Sequence, residues 1–372
     1  MSSFSDWLAQ RAAARAEAGL VRSLFASDVA GPMLDLAGND YLGLSRDPRV
    51  VTAAAKAAEA YGAGAGASRL VTGTLSVHEQ LEDALAAFTG FPAALVLSTG
   101  YHANLAVVAA LADADTLIVS DAHVHASMID ACRLSRGTVQ VVGHNDVAAV
   151  EAALADRTQT RALVLVESIY SVLGDAAPLA ELAATCEKHD ALLVADEAHA
   201  LGVCGPEGRG LLHQAGLAGA EHVVATLTLS KSLGAQGGAV LSGAAVRDHL
   251  INTARPFIYD TGLAPAAAGA ALAALEVILE EPERVGRVRE VARLLAEACG
   301  VPSADGAVLA VAVPGPEEAV AAVARAAEQG VRIGCFRPPS TPDGISRLRL
   351  TAHAHLTEDE LDRSARVLRG LL

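Results

Sequence analysis

The chain has 372 residues, 52% of them hydrophobic, and a formal net charge of −15, so it can bury a large core and exceeds one typical domain. That acidic balance disfavours nucleic acid and anionic membranes as partners; no apolar stretch is long enough to span a bilayer, and the opening residues lack the basic and apolar regions of a signal peptide. Five scattered cysteines (Cys132, Cys186, Cys204, Cys299 and Cys335) suit reduced thiols and a cytoplasmic setting rather than a disulfide framework.

In chain order, the first expected element is a helix around residues 4–24, packed with the C-terminal part of the molecule. Ser76-Val77-His78-Glu79 reads as a capping box opening a helix with Val77, Leu81, Leu85 and Phe88 on one face. Strand-like apolar runs then recur near residues 94–98, 116–120, 138–143, 162–167, 191–195, 222–229 and 238–242. Helical patterns separate the earlier runs, the mark of a mostly parallel sheet wrapped by helices. After Pro256 the character changes. A long helical region (about 264–299) leads to the apolar run 307–313, a helix from Pro316, and strands near 331–336 and 346–351. Thr357-Glu358-Asp359-Glu360 caps the last helix. The fold class is therefore α/β, with a mostly parallel central sheet flanked by helices and a smaller α+β C-terminal domain. The expected division is an N-terminal segment over 1–40, a large α/β domain over 41–255 and the C-terminal domain over 256–372.

Chemistry concentrates at strand ends. After the run 222–227 come Thr228-Leu229-Ser230-Lys231-Ser232-Leu233-Gly234, and Lys231 is one of only three lysines, with Lys56 and Lys188. Desolvation frees such an amine to attack a carbonyl, while the hydroxyls and glycines around it suit an anion. Pyridoxal phosphate (PLP) presents a carbonyl beside a phosphate; a surface lysine in a glycine-rich loop is the bland alternative. The run 191–195 ends in Asp196-Glu197-Ala198-His199, and ligands of open α/β sheets sit at such carboxyl ends. A buried carboxylate like Asp196 keeps a PLP ring nitrogen protonated. A helicase reading of Asp-Glu-Ala-His fails because no phosphate loop of the G-x-x-x-x-G-K-[S/T] type accompanies it. Ser98-Thr99-Gly100-Tyr101 is a strand-to-helix turn of the kind that binds phosphate. Between His123 and His125 the spacing hints at a metal, yet nothing completes the ligand set; an imidazole of His125 stacked on a flat cofactor is preferred, and no metal is expected.

Together these segments resemble the α-oxoamine synthase family of fold-type-I PLP enzymes. The resemblance runs along nearly the whole chain through Asn39-Asp40-Tyr41-Leu42-Gly43-Leu44, the segment 66–73, Gly100-Tyr101, His125-Ala126-Ser127, Asp196-Glu197-Ala198-His199, Gly208-Arg209-Gly210, Thr228-Leu229-Ser230-Lys231 and Arg347-Leu348-Arg349-Leu350-Thr351. One departure is Leu173 in Ser171-Val172-Leu173-Gly174-Asp175, where family members often carry Asp; Ser171 and Asp175 remain, so little catalytic consequence is expected.

The resemblance implies that Lys231 forms the resting Schiff base with PLP and later removes the substrate α-proton, that Asp196 holds the pyridinium, that His199 meets the phenolic oxygen and that His125 stacks on the ring. It further implies that Gly100, Tyr101, Ser171 and Thr228 bind the cofactor. Arg349 is the candidate for an amino-acid carboxylate, which a guanidinium grips bidentately, although an exposed face of an alternating strand would also explain it. Asn39 either faces substrate or makes an Asx turn. Tyr259, Thr261 and Gly262 fall in a segment that in the family reaches the partner's phosphate, which implies a homodimer with active sites at the subunit interface. The implied substrates are L-alanine and a pimeloyl thioester (coenzyme A or carrier protein), a step toward biotin, with Arg22 and Thr351 the candidates for the acyl carboxylate. Glycine C-acetyltransferase or 5-aminolevulinate synthase chemistry is the alternative within the family; serine palmitoyltransferase would have a lipid product, and nothing here is membrane-seeking. A catalytically silent PLP-fold binding protein is the alternative outside catalysis.

Overall fold

The computed structural model of the chain describes every residue except Met1, Ser23, Phe25, residues 27–30, Pro32 and Pro339. Strand β1 (Leu34–Asp35) belongs to a small C-terminal layer. The central sheet holds β2 (Ala93–Leu97), β3 (Thr116–Asp121), β4 (Thr138–Val142), β5 (Arg161–Glu167), β6 (Leu192–Asp196), β7 (Val223–Thr228) and β8 (Gly238–Ser242) in the order β2-β8-β7-β6-β5-β3-β4. All seven lie within a residue or two of the apolar runs. Pairing is parallel from β7 to β4, whereas β8 runs antiparallel to both β7 and β2.

Helices cover both faces, so successive side chains of one strand enter different cores. Val164 and Leu193 pack in one cluster, Leu163 and Val194 in the other, which is why these strands read as continuous apolar runs rather than alternating ones. Register does the rest: Glu167 pairs with Asp196, and Asp196 with Thr226. Three polar side chains thus form one row at the carboxyl end of the sheet. Strand β2 has an outer edge, and a buried ion pair closes it. Glu82 Oε1 accepts the Val96 N–H at 2.8 Å, while Arg69 Nη1 holds Glu82 at 2.9 Å and Val96 O at 3.3 Å. Charges placed on an edge block further pairing.

The small layer adds β9 (Val308–Ala312), β10 (Val331–Arg332), β11 (Gly334–Phe336) and β12 (Arg347–Thr351). Strands β11-β12-β9 form an antiparallel sheet, and β1 pairs with β10 in parallel. The run 331–336 is therefore two short strands in two sheets rather than one.

Other expectations also change. The helical region 264–299 is two helices, Pro265–Glu280 and Glu283–Cys299, because Pro282 cannot donate to the ladder. Ser76 is the first residue of its helix and not the cap; its Oγ bonds Tyr61 Oη at 2.7 Å, and His78 Nδ1 takes the Leu75 N–H instead. The N-terminal helix is shorter, Ser3–Glu17, and none of its residues is buried. The cap at Thr357 forms as read, closed by Glu360. Among the described residues no helix is long and apolar enough to cross a membrane.

Candidate active site

The loop carrying Lys231 joins β7 to β8 and is closed by the Thr228–Gly238 pair. Leu229 N–H donates to Gly237 O at 3.0 Å and Gly234 N–H to Lys231 O at 2.9 Å, which fixes the lysine backbone between two ladders. Lys231 Nζ lies 2.7 Å from His199 Nε2. Burial pushes the amine down to about 8, against the opposing carboxylates of Asp196 and Glu167. Burial, then the Lys231 and Arg349 charges, hold His199 well below the ordinary imidazole range. Its other nitrogen, Nδ1, is 2.6 Å from the Tyr41 hydroxyl, which donates to Asn39 Oδ1 at 3.1 Å. His199 therefore carries its proton on Nδ1 and offers the Nε2 lone pair to the lysine.

Asp196 accepts from Asn104 Nδ2 at 2.8 Å and from the Ala198 N–H at 2.9 Å. Beside it, burial raises Glu167 to about 8, helped by the Asp196 charge and opposed by Lys231 and by Ser171, whose N–H donates at 3.0 Å. His125 Nδ1 sits 2.7 Å from Ser127 Oγ, and Tyr101 meets the His125 ring edge-on at 6.5 Å while its hydroxyl donates to Asp130. Glu197, the second residue of Asp-Glu-Ala-His, turns away and accepts the N–H groups of Leu211 and Leu212. Gly210 faces it so closely that a Cβ there would lie 1.7 Å from Glu197 Oε2.

The helix Gly100–Leu111 starts at the cavity wall, with Thr99 capping the His102 N–H at 3.0 Å. Its first N–H groups have no intrahelical partner, and a Cβ at Gly100 would lie 2.9 Å from the Thr228 Cβ. Glycine is thus required where the helix end, Thr228 and Ser230 converge; the two hydroxyls are 2.7 Å apart.

Gly100, Tyr101, His125, Asp196, His199, Thr228 and Lys231 all line one cavity of about 160 Å³, together with Asn104, Ser127, Glu167 and Ala198. Arg349 and Asn39 meet beyond its rim. Arg349 Nε donates to Ser171 O at 2.7 Å, and its Nη atoms reach Asn39 Oδ1 at 3.2 and 3.3 Å. Arg349 is only 6% exposed, on the middle strand of its sheet, which removes the exposed-face alternative. Ser171 joins this group through Arg349 and Glu167 and does not line the cavity. Three other candidates stand apart. Thr351 is fully buried, with Oγ1 3.1 Å from His353 Nε2; Thr261 is exposed and bridges Ser68; Arg22 is exposed and reaches Ser340 Oγ at 3.5 Å.

Asn104, Ser127, Glu167 and Tyr41 were not singled out from the sequence. For Glu167 a signal existed, since two adjacent parallel strands ending in Glu167 and Asp196 must set those carboxylates side by side. The donor set fits PLP: a buried amine of lowered basicity for the carbonyl, a carboxylate for the ring nitrogen, an imidazole beside the amine, and a helix end that only glycine permits for the phosphate. His123 stacks on His144 at 4.4 Å, not on His125. No group of three or more His, Cys, Asp or Glu side chains able to hold a metal occurs among the described residues.

Comparison with known proteins identifies the family. The family profile described as "Aminotransferase class I and II" matches residues 31–368. The 8-amino-7-oxononanoate synthase of Mycolicibacterium gilvum (strain PYR-GCK) is 57% identical over 98% of this chain and 97% of its own length, and that of Mycolicibacterium smegmatis (strain ATCC 700084 / mc(2)155) is 54% identical over 98% and 96%. Among solved structures, a lysine-to-alanine variant of a serine palmitoyltransferase from S. paucimobilis, with a bound PLP-myriocin aldimine, superposes with a TM-score of 0.92 at 29% identity, covering 100% of this chain and 98% of that one. An 8-amino-7-oxononanoate synthase from Francisella tularensis gives 0.78 at 24% identity over 91% and 97%, a likeness of fold. On the profile match and the full-length identity, the chain belongs to the aminotransferase class I and II family, within its PLP-dependent α-oxoamine synthases.

Proposed function

We propose that the chain condenses L-alanine with a pimeloyl thioester, releasing the thiol and CO₂ and giving 8-amino-7-oxononanoate. The observation that carries this reading is the 54–57% identity, along almost the whole chain, with curated synthases of that product. When bound, PLP supplies a carbonyl and an electron-accepting ring that stabilises negative charge on the substrate α-carbon.

Lys231 is the residue that would hold PLP covalently through Nζ, and its displaced amine is the base for the α-proton. General-base catalysis of this kind is worth about 10²–10⁴-fold. His199 Nε2 keeps that amine aimed by accepting its N–H. Asp196 provides the carboxylate for the ring nitrogen, His125 covers the ring face, and Tyr101 supports His125. Gly100, Thr228 and the helix end would receive the phosphate, with Thr261 completing the partner's phosphate site. Arg349, steadied by Asn39 and the Ser171 carbonyl, receives the alanine carboxylate. Arg22 remains the candidate for the far carboxylate of the acyl chain; Thr351 has no route to it, being buried against His353.

A homodimer is part of this reading. Leu70, Val71 and Tyr259 are 52%, 73% and 71% exposed and lie on segments joined by the Ser68–Thr261 bridge; such clustered apolar exposure marks an interface. Five cysteines without disulfides support a cytoplasmic setting. The test is a matrix of L-alanine, glycine and L-serine against pimeloyl-, acetyl-, succinyl- and palmitoyl-CoA, read as thiol release and product mass. Alanine with pimeloyl-CoA should lead by at least tenfold; preference for another pair would overturn the substrate assignment.

A further inference from the structure

Asn104 is a buried amide, 2% exposed, in the helix Gly100–Leu111. Its Nδ2 lies 2.8 Å from Asp196 Oδ2 and 2.8 Å from Ser127 Oγ, and its Oδ1 lies 2.6 Å from Thr226 Oγ1. Counting donors settles the protons. A carboxylate accepts only, so the NH₂ end of Asn104 must face Asp196, and both of its N–H bonds are used. Oδ1 then accepts from the Thr226 hydroxyl.

Ser127 Oγ receives one N–H from Asn104 and has a single O–H to give. Its acceptor is His125 Nδ1, 2.7 Å away. The Ser127 backbone N–H, which can only donate, reaches the same nitrogen at 3.2 Å. Nδ1 therefore carries the lone pair, and the ring proton sits on Nε2. Burial holds the imidazole below its ordinary range, with Asp196 opposing and Lys231 assisting.

We propose that Asn104 is a positioning residue for the reaction: one N–H holds the Asp196 carboxylate, and the other, through Ser127, keeps the ring proton of His125 on Nε2. The inference rests on the reading of this cavity as a PLP site faced by Asp196 and His125. Among the described residues nothing hydrogen-bonds Nε2, so that N–H is left for whatever fills the cavity. One amide thus sets both the charge beneath the ring nitrogen and the donor presented by the stacking imidazole.

The test uses holoenzyme labelled with ¹⁵N-histidine, with the His125 resonances identified by their loss in His125→Gln. Wild type should show a pyridine-type Nδ1, shifted by its hydrogen bond, and a protonated Nε2. In Ser127→Ala the hydroxyl donor is gone and only the backbone N–H at 3.2 Å remains, so Nδ1 should move toward the free pyridine-type position. Asn104→Asp, of nearly the same shape, reverses the Ser127 hydroxyl and adds a carboxylate beside Asp196. The ring proton should shift toward Nδ1, and PLP retention by dialysis should weaken about ten- to a hundredfold, the loss expected for one hydrogen bond to a charged group. Thr226→Val, which only frees the amide, should move both readouts in the same direction by less, and serves if Asn104→Asp does not fold. A protonated Nδ1 in wild type would overturn the proposal, as would an Nδ1 resonance unchanged in Ser127→Ala and Thr226→Val. Failure of the substrate reading shows separately: wild type that ignores alanine with pimeloyl-CoA yet keeps the Nε2–H tautomer refutes that reading alone.

Discussion

Replacing Arg349 should cost the enzyme its hold on the amino acid. The guanidinium is 6% exposed and touches a carbonyl, an amide oxygen and the Phe336 ring at 5.5 Å, with no carboxylate within ion-pair range among the described residues. A buried cation without a counter-charge is costly, and a substrate carboxylate relieves that cost. Hydrogen bonds to charged groups contribute about 1.5–3 kcal/mol each, and a fork supplies two, so Arg349→Ala should lose roughly 3–6 kcal/mol. At about 1.4 kcal/mol per decade that is on the order of 10²–10⁴ in kcat/KM for alanine. Arg349→Lys keeps the charge but not the fork and should fall between. Initial rates at varied L-alanine and saturating thioester read the effect, and the thioester KM should stay near wild type. An alanine KM within threefold of wild type in Arg349→Ala, or a rise confined to the thioester, would refute the reasoning.

Three further outcomes are expected. Lys231→Ala should abolish turnover and the borohydride-stable attachment of PLP; a phosphopyridoxyl group found by peptide mass on Lys188 or Lys56 would sink the assignment. Burial alone would lower His144, but Asp121 at 3.1 Å and Asp175 at 2.9 Å outweigh it and push the imidazole up to about 9. Its raised basicity stabilises the fold fully below about pH 6.5, by up to about 3 kcal/mol, and that contribution is lost as pH rises through about 9. Urea midpoints at pH 6 and pH 9.5 should therefore converge in His144→Gln, and equal pH dependence in variant and wild type would contradict this. Val71→Asp, at a 73% exposed position, should leave the monomer fold intact but dissociate the dimer by light scattering; a variant still dimeric at low micromolar concentration would move the interface elsewhere.

What the sequence made legible follows from how each feature is encoded. Strands buried on both faces announce themselves as β-branched apolar runs, so β2 to β8 were placed closely, and the polar residues where those runs stop proved to share one cavity. Lys231, Asp196 and His199 needed no tertiary knowledge beyond that rule. Asn104, Ser127 and Thr226 were illegible because each is an ordinary polar residue, and Asn104 meets the other two from distant segments. Thr226 lies inside an apolar run, and only the register of β6 against β7 gives its hydroxyl a purpose. Some signals were present and missed: Asp47-Pro48 begins a helix that runs to Tyr61, with the Asp47 side chain capping the Arg49 N–H, and Glu280-Glu281-Pro282 marks the break at residue 282. The alanine-rich N-terminal helix has no continuous apolar stripe, so its lack of burial is consistent with its own sequence.

The sheet order has a consequence for how the polypeptide is made. Strand β2 has a single strand neighbour, β8, and that neighbour is synthesised last in the sheet. At about 5–20 residues per second, the interval between residues 97 and 242 lasts on the order of 10 s. Through that time one flank of Ala93–Leu97 is an open apolar template, the condition under which nascent chains associate wrongly or recruit chaperones. The other flank is covered early at Val96, because Arg69 and Glu82 precede the strand they clamp and are near it in sequence, whereas Arg247 reaches Ala94 O at 3.2 Å only after the whole sheet is made. A newborn chain thus has one margin open and the other already partly covered, and weakening the Arg69–Glu82 clamp should show first as a poor yield of soluble protein, before any loss of activity in the molecules that finish folding.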